Sequence, residues 1–234
     1  MLSFIIPTLN EEEHIDALLS GLMPQLIGDD EVIVVDAHSK DRTPDIVRKH
    51  GASLVLHPKS GVGLARTRGA KEAKNGVLVF LDADSVLVND FAGRLRAHFT
   101  RPEIVAAGGL DLYHSDSRLW KALYNTYSVA LFHSASVTHK LTGKYWIPAN
   151  NCAIRKDLFF QVGGYRSVIC EDSDMMRRLP ATPHVVYDQK LALTLSDRRF
   201  KQDGFFRTLG VWWMSNMSAW FGKGKDVNAG YTKD

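Results

Sequence analysis

The chain has little cysteine, no long apolar run and almost no excess of charge, and each shortage narrows the field. Two cysteines, Cys152 and Cys170, in 234 residues are too few for a disulfide framework. They are expected as small buried residues of a chain in a reducing compartment, which points to the cytoplasm. No stretch reaches the roughly 18 uninterrupted apolar residues of a membrane-spanning helix. The amino terminus opens directly on the strand-like Leu2-Ser3-Phe4-Ile5-Ile6, so no signal peptide is expected. A formal net charge of only +3 does not suggest the concentrated basic face of a nucleic-acid binder, so no nucleic-acid partner is expected. Internal repeats and low-complexity linkers are lacking too. What remains is an ordinary globular composition, 45% hydrophobic and 24% charged, long enough for one large domain with a substantial core.

The stretch that organises this composition is Val77-Leu78-Val79-Phe80-Leu81-Asp82-Ala83-Asp84-Ser85. Its five apolar residues read as a strand buried on both faces of a mostly parallel sheet. Asp82 and Asp84 then fall at the carboxyl end of that strand, where open α/β sheets bind ligands. Buried carboxylates need a partner, and oxygen ligands suit Mg²⁺ or Mn²⁺ shared with substrate phosphates. Taken alone, Asp-x-Asp fits a polar turn equally well.

Before this stretch, strands and helices alternate. Leu2 to Ile6 is a strand, broken by Pro7-Thr8, and Asn10 is placed to cap a helix carrying Ile15, Leu18, Leu19 and Leu22. Glu31 to Val35 is a second strand ending at Asp36, followed by a helix from Pro44 to Lys49 and a short strand from Ala52 to Leu56. Gly61-Val62-Gly63 forms a turn into a helix that bears Arg66 and Arg68, of which Arg68 is expected at the surface. The third glycine of a dinucleotide fingerprint is missing. This alternation predicts a doubly wound α/β sheet flanked by helices.

Several of these segments, taken together, resemble glycosyltransferase family 2. Pro7-Thr8-Leu9-Asn10-Glu11 resembles its opening motif, and the segment from Val34 to Thr43 its Asp-Asp-Gly-Ser-x-Asp-x-Thr stretch. Ala65-Arg66-Thr67-Arg68-Gly69 resembles its Ala-Arg-Asn-x-Gly segment, and Leu81-Asp82-Ala83-Asp84 its metal motif. The segment from Lys144 to Arg155 resembles the strand before the acceptor site, and Phe159-Phe160-x-x-Gly163-Gly164-Tyr165 the family's Val-Gly-Gly-Phe/Tyr turn. The segment from Glu171 to Leu179 resembles Glu-Asp-x-Asp-Leu-x-x-Arg-Leu. Ala37 and His38 depart from the family's second Asp and its Gly.

The resemblance covers roughly residues 1–200 and implies the GT-A fold: a doubly wound, mostly parallel central sheet with flanking helices. It implies one domain over 1–221, with a nucleotide-sugar-binding part (1–110), an acceptor-binding part (111–200) and a C-terminal amphipathic helix (201–221). It implies that Asp36 hydrogen-bonds a nucleobase, that Pro7, Thr8 and Glu11 line the nucleoside pocket, and that Asp84 holds the metal with Asp82 near ribose or metal. Arg66, or the pair Arg198 and Arg199, would reach the diphosphate of a UDP- or GDP-sugar. Asp172 would be the catalytic base of an inverting transfer, which favours an acceptor hydroxyl on a glycan or lipid-linked carrier. Three carboxylates opening a helix also serve as capping charge.

Other readings stay open. They are a polyprenyl-phosphate glycosyltransferase, a sugar-1-phosphate nucleotidyltransferase and a non-catalytic nucleotide-sugar-binding protein. Leu119 to Val137 reads as a helix with Trp120, Tyr124 and Tyr127, facing either an acceptor or the core. Phe205 to Phe221 reads as an aromatic, Lys-flanked helix suited to a membrane interface, a core or a second subunit, and Gly222 to Asp234 as a mobile tail. Cys152 follows Asn150-Asn151 in a segment expected to be a strand, and Glu103 to Leu110 is a strand whose Gly108-Gly109 permits close backbone approach.

Overall fold

β1 (Leu2–Thr8) and β4 (Val77–Leu81) form the centre because their side chains are apolar on both faces. In this computed structural model, which describes residues 1–58, 61–168, 170–182 and 184–210, alternate residues of each strand enter different cores. Phe4, Ile6, Val79 and Leu81 join one apolar cluster, and Ile5, Leu78 and Phe80 the other, as the two-residue period of a strand requires.

Beside β1 run β2 (Glu31–Asp36) and then β3 (Ser53–Leu56), all parallel. Beside β4 runs β8 (Asn151–Arg155), antiparallel, followed by β6 (Ala106–Gly108) and β9 (Val185–Tyr187). The strand order is β3-β2-β1-β4-β8-β6-β9. β5 (Val86–Leu87), β10 (Leu193–Ser196) and β7 (Asp111–His114) make a separate three-stranded sheet.

The helices are α1 (Ile15–Leu22), α2 (Thr43–Lys49), α3 (Val62–Glu72), α4 (Phe91–Phe99), α5 (Arg118–Thr142), α6 (Lys156–Gln161), α7 (Glu171–Arg178) and α8 (Arg198–Asp203). Because β1, β2 and β4 are parallel, Thr8, Asp36 and Asp82 emerge along one edge of the sheet. The order turns at β1, the position where open α/β sheets gather ligands. Antiparallel β8 brings Asn151 opposite Leu81, at that same edge.

Four local expectations change. Asn10 does not cap α1, which starts at Ile15 behind His14. Asn10 instead takes a left-handed φ of 54°, and its Oδ1 accepts from the Lys40 amide at 2.9 Å. Side-chain bonding to a neighbouring turn wins over capping at this position. The strand around Ala106 ends at Gly108, because Gly109 lies so close to the next segment that a Cβ would sit 1.7 Å from the Leu191 carbonyl oxygen. Cys152 is buried, but Cys170 is only half-buried, with φ of 54° at the amino end of α7. α5 is longer than expected, and of its residues only Tyr124, Ser128 and His139 are buried.

Residues 205–210 are helical, and Phe205 packs on Trp120, Tyr124 and Tyr127. The rest of the amphipathic stretch expected to 221, and the tail from 222 to 234, lie outside the described residues. Among the described residues no helix is long and apolar enough to cross a membrane.

Candidate active site

Arg66 organises the carboxylates at the sheet edge. It projects from α3, and its side chain is almost fully buried. One guanidinium nitrogen donates to Asp82 Oδ1 at 2.5 Å, and the other donates to Glu171 Oε1. Burial alone would lower the arginine's pKa, but the Asp82 and Glu171 carboxylates outweigh it and hold the charge on. Arg66 thereby ties the carboxyl end of β4 to the start of α7. Gly63 allows this approach: a Cβ there would lie 2.5 Å from the Arg166 carbonyl oxygen and 3.1 Å from Glu171.

The three carboxylates that open α7 have separate fates. Glu171 is held by Arg66. Asp174 is held by Arg178, whose Nε donates at 3.0 Å. The same guanidinium donates to the carbonyls of Val162 and Gly164, so it clamps the preceding turn onto the helix. Asp172 is left with no ion pair among the described residues. Its Oδ1 accepts the Ser173 amide at 2.7 Å. Burial and the charge of Glu171 push its pKa up to about 7.

At the other end of the cluster, Asp84 is nearly buried, and burial together with the charge of Asp82 pushes its pKa up to about 6. Arg198, from the start of α8, counters this from 3.7 Å. Arg198 also grips both oxygens of Glu11, at 2.6 and 2.9 Å. Asp36 is fully buried at the end of β2. Its oxygens accept from the Thr8 hydroxyl at 3.1 Å, from the Ser39 hydroxyl and from the Ser39 amide at 2.9 Å. Pro7 is half-buried and pairs in register with Val35.

Asp82, Asp84, Arg66, Glu11 and Arg198 are therefore brought together as one charged cluster, to which Arg66 ties Glu171, and Asp172 stands next to Glu171 within reach of the Arg66 charge. Pro7, Thr8 and Asp36 lie along the same edge of the sheet. Arg199 begins α8 beside Arg198, but its side chain lies outside the described residues. Arg68 pairs with Glu72 at the surface, as expected.

Residues 3–172 match the model for glycosyl transferase family 2. The chain belongs to that family. An uncharacterized glycosyltransferase of Mycobacterium tuberculosis is 34% identical over 80 residues, which is 34% of this chain and 35% of that protein. The O-antigen chain rhamnosyltransferase RfbN of Salmonella typhimurium is 26% identical over 189 residues, covering 76% of this chain and 60% of RfbN. The chain thus spans under two thirds of the length of either relative. The mannosyltransferase PcManGT of Pyrobaculum calidifontis, solved with GDP-Man and Mn²⁺, superposes with a TM-score of 0.64 at 19% identity, over 82% of this chain and 56% of that one. At such identity the likeness speaks for the fold alone. The fold is GT-A, a mostly parallel sheet between helices, as expected for a family 2 member.

Among the described residues, no group of three or more His, Cys, Asp or Glu side chains is arranged to hold a metal ion. The donor set that fits one is the pair Asp82 and Asp84. These are two hard oxygen donors on a strand end: Asp82 gives one oxygen to Arg66, and Asp84, nearly buried, is opposed by Arg198 at 3.7 Å and by His14, which would leave negative charge for a dication to relieve. Substrate diphosphate oxygens and water would have to supply the remaining ligands.

Family motifs did not single out Asp111, Asn150 or Asn151. Asn150 and Asn151 each donate to Asp111, at 2.8 and 3.0 Å, and Asn151 also donates to the Leu191 carbonyl. Burial, opposed by the two amides and reinforced by Asp82, pushes the Asp111 pKa up to about 6. The signal available in the sequence was a pair of amides at the mouth of an apolar strand.

Proposed function

We propose that the chain is an inverting, metal-dependent glycosyltransferase that moves a sugar from a nucleoside-diphosphate sugar to an acceptor hydroxyl. The observation that carries this reading is the isolation of Asp172. Its neighbours Glu171 and Asp174 are neutralised by Arg66 and Arg178, whereas Asp172 keeps an unpaired carboxylate among the described residues, within the cluster built by Arg66. A general base needs that combination: a free lone pair and a pKa near the working pH.

In this reading the acceptor oxygen forms a bond to the anomeric carbon while Asp172 takes the hydroxyl proton. The bond from that carbon to the diphosphate oxygen breaks, and its electron pair leaves with the diphosphate. A divalent cation bound by Asp84 and Asp82, Mn²⁺ or Mg²⁺, supplies charge neutralisation for that diphosphate. Arg198 stands beside Asp84, and the guanidinium donors that Glu11 does not take suit phosphate oxygens. The end of β1, with Pro7, Thr8 and Glu11, and the end of β2, with Asp36, form the nucleoside side of the site. A base matters only to an acceptor that must lose a proton, so a hydroxyl on a glycan or lipid-linked carrier fits better than an ionised phosphate.

The test is Asp172→Asn. Transfer from a nucleotide sugar should fall by about 10²- to 10⁴-fold, while nucleoside-diphosphate binding, read by thermal shift with Mn²⁺, stays within error. Undiminished transfer by this variant overturns the assignment of the base.

A further inference from the structure

Asp111, the first residue of β7, is a carboxylate with no ion pair among the described residues, yet three parts of the fold hold it in place. Its main chain pairs in register with Leu193 of β10, and the Ser128 hydroxyl of α5 donates to its carbonyl. Its side chain is held from β8 and the residue before it. Asn150 Nδ2 donates to Oδ2 at 2.8 Å, and Asn151 Nδ2 donates to Oδ1 at 3.0 Å. Asn151 is pinned in turn, because its amide also donates to the Leu191 carbonyl at 3.1 Å. That carbonyl reaches Asn151 over Gly109, the residue whose missing Cβ makes room for it.

Each Asp111 oxygen spends one lone pair on an amide and keeps another. Asn150 is half-buried, and its second N–H and its Oδ1 have no partner among the described residues. Acceptors and a donor therefore stand side by side. A hydroxyl suits such a set, since it donates to the carboxylate and accepts from the amide. Two other ligands fit worse. A diphosphate oxygen would meet the charge of Asp111 as well as that of Asp82, which reaches it. A metal ion would meet the N–H groups of two amides where it needs oxygen lone pairs.

We propose that Asp111 and Asn150 bind hydroxyls of the donor's sugar and so select which sugar is transferred, an inference that rests on the nucleotide-sugar reading above. The strand order supplies the position. Asp36 ends β2, Asp82 and Asp84 follow β4, and Asn151 opposes Leu81 from β8. β8 lies three strand spacings, about 14 Å, from β2. A nucleotide sugar laid along this edge, with its base at Asp36 and its diphosphate at Asp82 and Asp84, carries its sugar past β4 toward Asn150 and Asp111. Asp172 borders the same place, since its charge reaches Cys152, the neighbour of Asn151. Asn151 acts as a positioning residue, because its amide is spent on Asp111 and Leu191. An epimer that turns the bound hydroxyl away leaves the carboxylate without its partner, and such a loss discriminates strongly.

The experiment is isothermal titration of the full chain, with Mn²⁺ present, against UDP, UDP-glucose, UDP-galactose and UDP-N-acetylglucosamine, and against GDP, GDP-mannose and GDP-glucose. The parent should bind one sugar of one nucleotide at least about tenfold more tightly than the others of that nucleotide. Asp111→Asn and Asn150→Ala should each weaken that nucleotide sugar about tenfold or more, flatten the ranking among sugars, and leave the bare nucleoside diphosphate within about twofold. A merely structural role would weaken the nucleoside diphosphate along with the sugar. If Asp111→Asn loses its melting transition, Asn150→Ala decides alone. The inference is overturned by a parent that ranks the sugars equally, by variants that keep the parent's ranking, or by variants that lose nucleoside diphosphate and nucleotide sugar in equal measure. A parent that binds neither UDP nor GDP overturns the nucleotide-sugar reading and this inference with it, whereas an unchanged ranking with the diphosphate still bound overturns this inference alone.

Discussion

Arg198 grips Glu11 with two guanidinium nitrogens, at 2.9 and 2.6 Å, although 187 residues separate them in the chain. The pair joins the first helix turn after β10 to the turn after β1, and it holds a guanidinium beside Asp84. Glu11 takes two of the five N–H donors and so fixes the guanidinium, which leaves the others for an anion. Arg198→Ala should weaken nucleoside-diphosphate binding by at least tenfold, since a charge-assisted bond contributes about 1.5–3 kcal/mol. Isothermal titration with Mn²⁺ present measures it, and unchanged affinity would remove Arg198 from the diphosphate site.

The raised pKa of Asp172 gives activity a direction with pH. A base must be ionised to accept a proton, so kcat/KM should climb as pH rises through about 7 and level off above it. Stability should run the other way. The folded state holds a proton that the unfolded chain releases at its ordinary value of 3.8. Stability is therefore fully present below that value and declines as pH rises toward 7. Asp172→Asn carries no charge and escapes the decline. At pH 8 it should be more stable than the parent by about 1–2 kcal/mol, discounted because the residue keeps some exposure. Urea titrations of both proteins at pH 5 and 8 check this.

Arg66 and Arg68 sit two residues apart on α3 and should differ sharply on removal. Arg66→Met leaves Asp82 and Glu171 unpaired, one of them mostly enclosed. It should destabilise the fold by about 3 kcal/mol. Arg68→Ala removes only an exposed pair with Glu72 and should change stability by less than about 0.5 kcal/mol. Equal effects in chemical denaturation would contradict the structural role of Arg66.

His38 takes a φ of 60° in the turn after β2. A Cβ is strained there, whereas glycine is not. His38→Gly should therefore raise stability by up to about 1 kcal/mol, which is a rise of roughly 2–4 °C in melting temperature for a domain of this size. A fall would mean that the imidazole makes contacts worth more than the strain.

This position also shows how far local pattern reaches. The family's glycine is absent at 38, yet this residue takes the left-handed conformation, because Asp36 accepts from the Ser39 amide and hydroxyl and Asn10 bonds both Ser39 and Lys40. The five-residue run of β4 and the alternation of β1 were legible because burial on two faces leaves a plain apolar signature. Asp82 and Asp84 were legible for the same reason, as the first polar residues after that run. Asn10 was misread as a helix cap because its side chain is engaged by Lys40, a partner thirty residues away. Glu171, Asp172 and Asp174 looked alike in sequence, three carboxylates at a helix start.

By itself, then, the sequence determined the alternating strands and helices up to β4, and which carboxylates stand at the strand and helix ends, since period and composition act over a few neighbouring residues, whereas the short strands β5, β7, β9 and β10 carry too little pattern to be read. Only the tertiary structure decided which carboxylate is neutralised and which is left unpaired. Arg66, Arg178 and Arg198 choose their partners through contacts between separate elements of the fold, and charge pairing falls off over a few ångströms of space rather than along the chain.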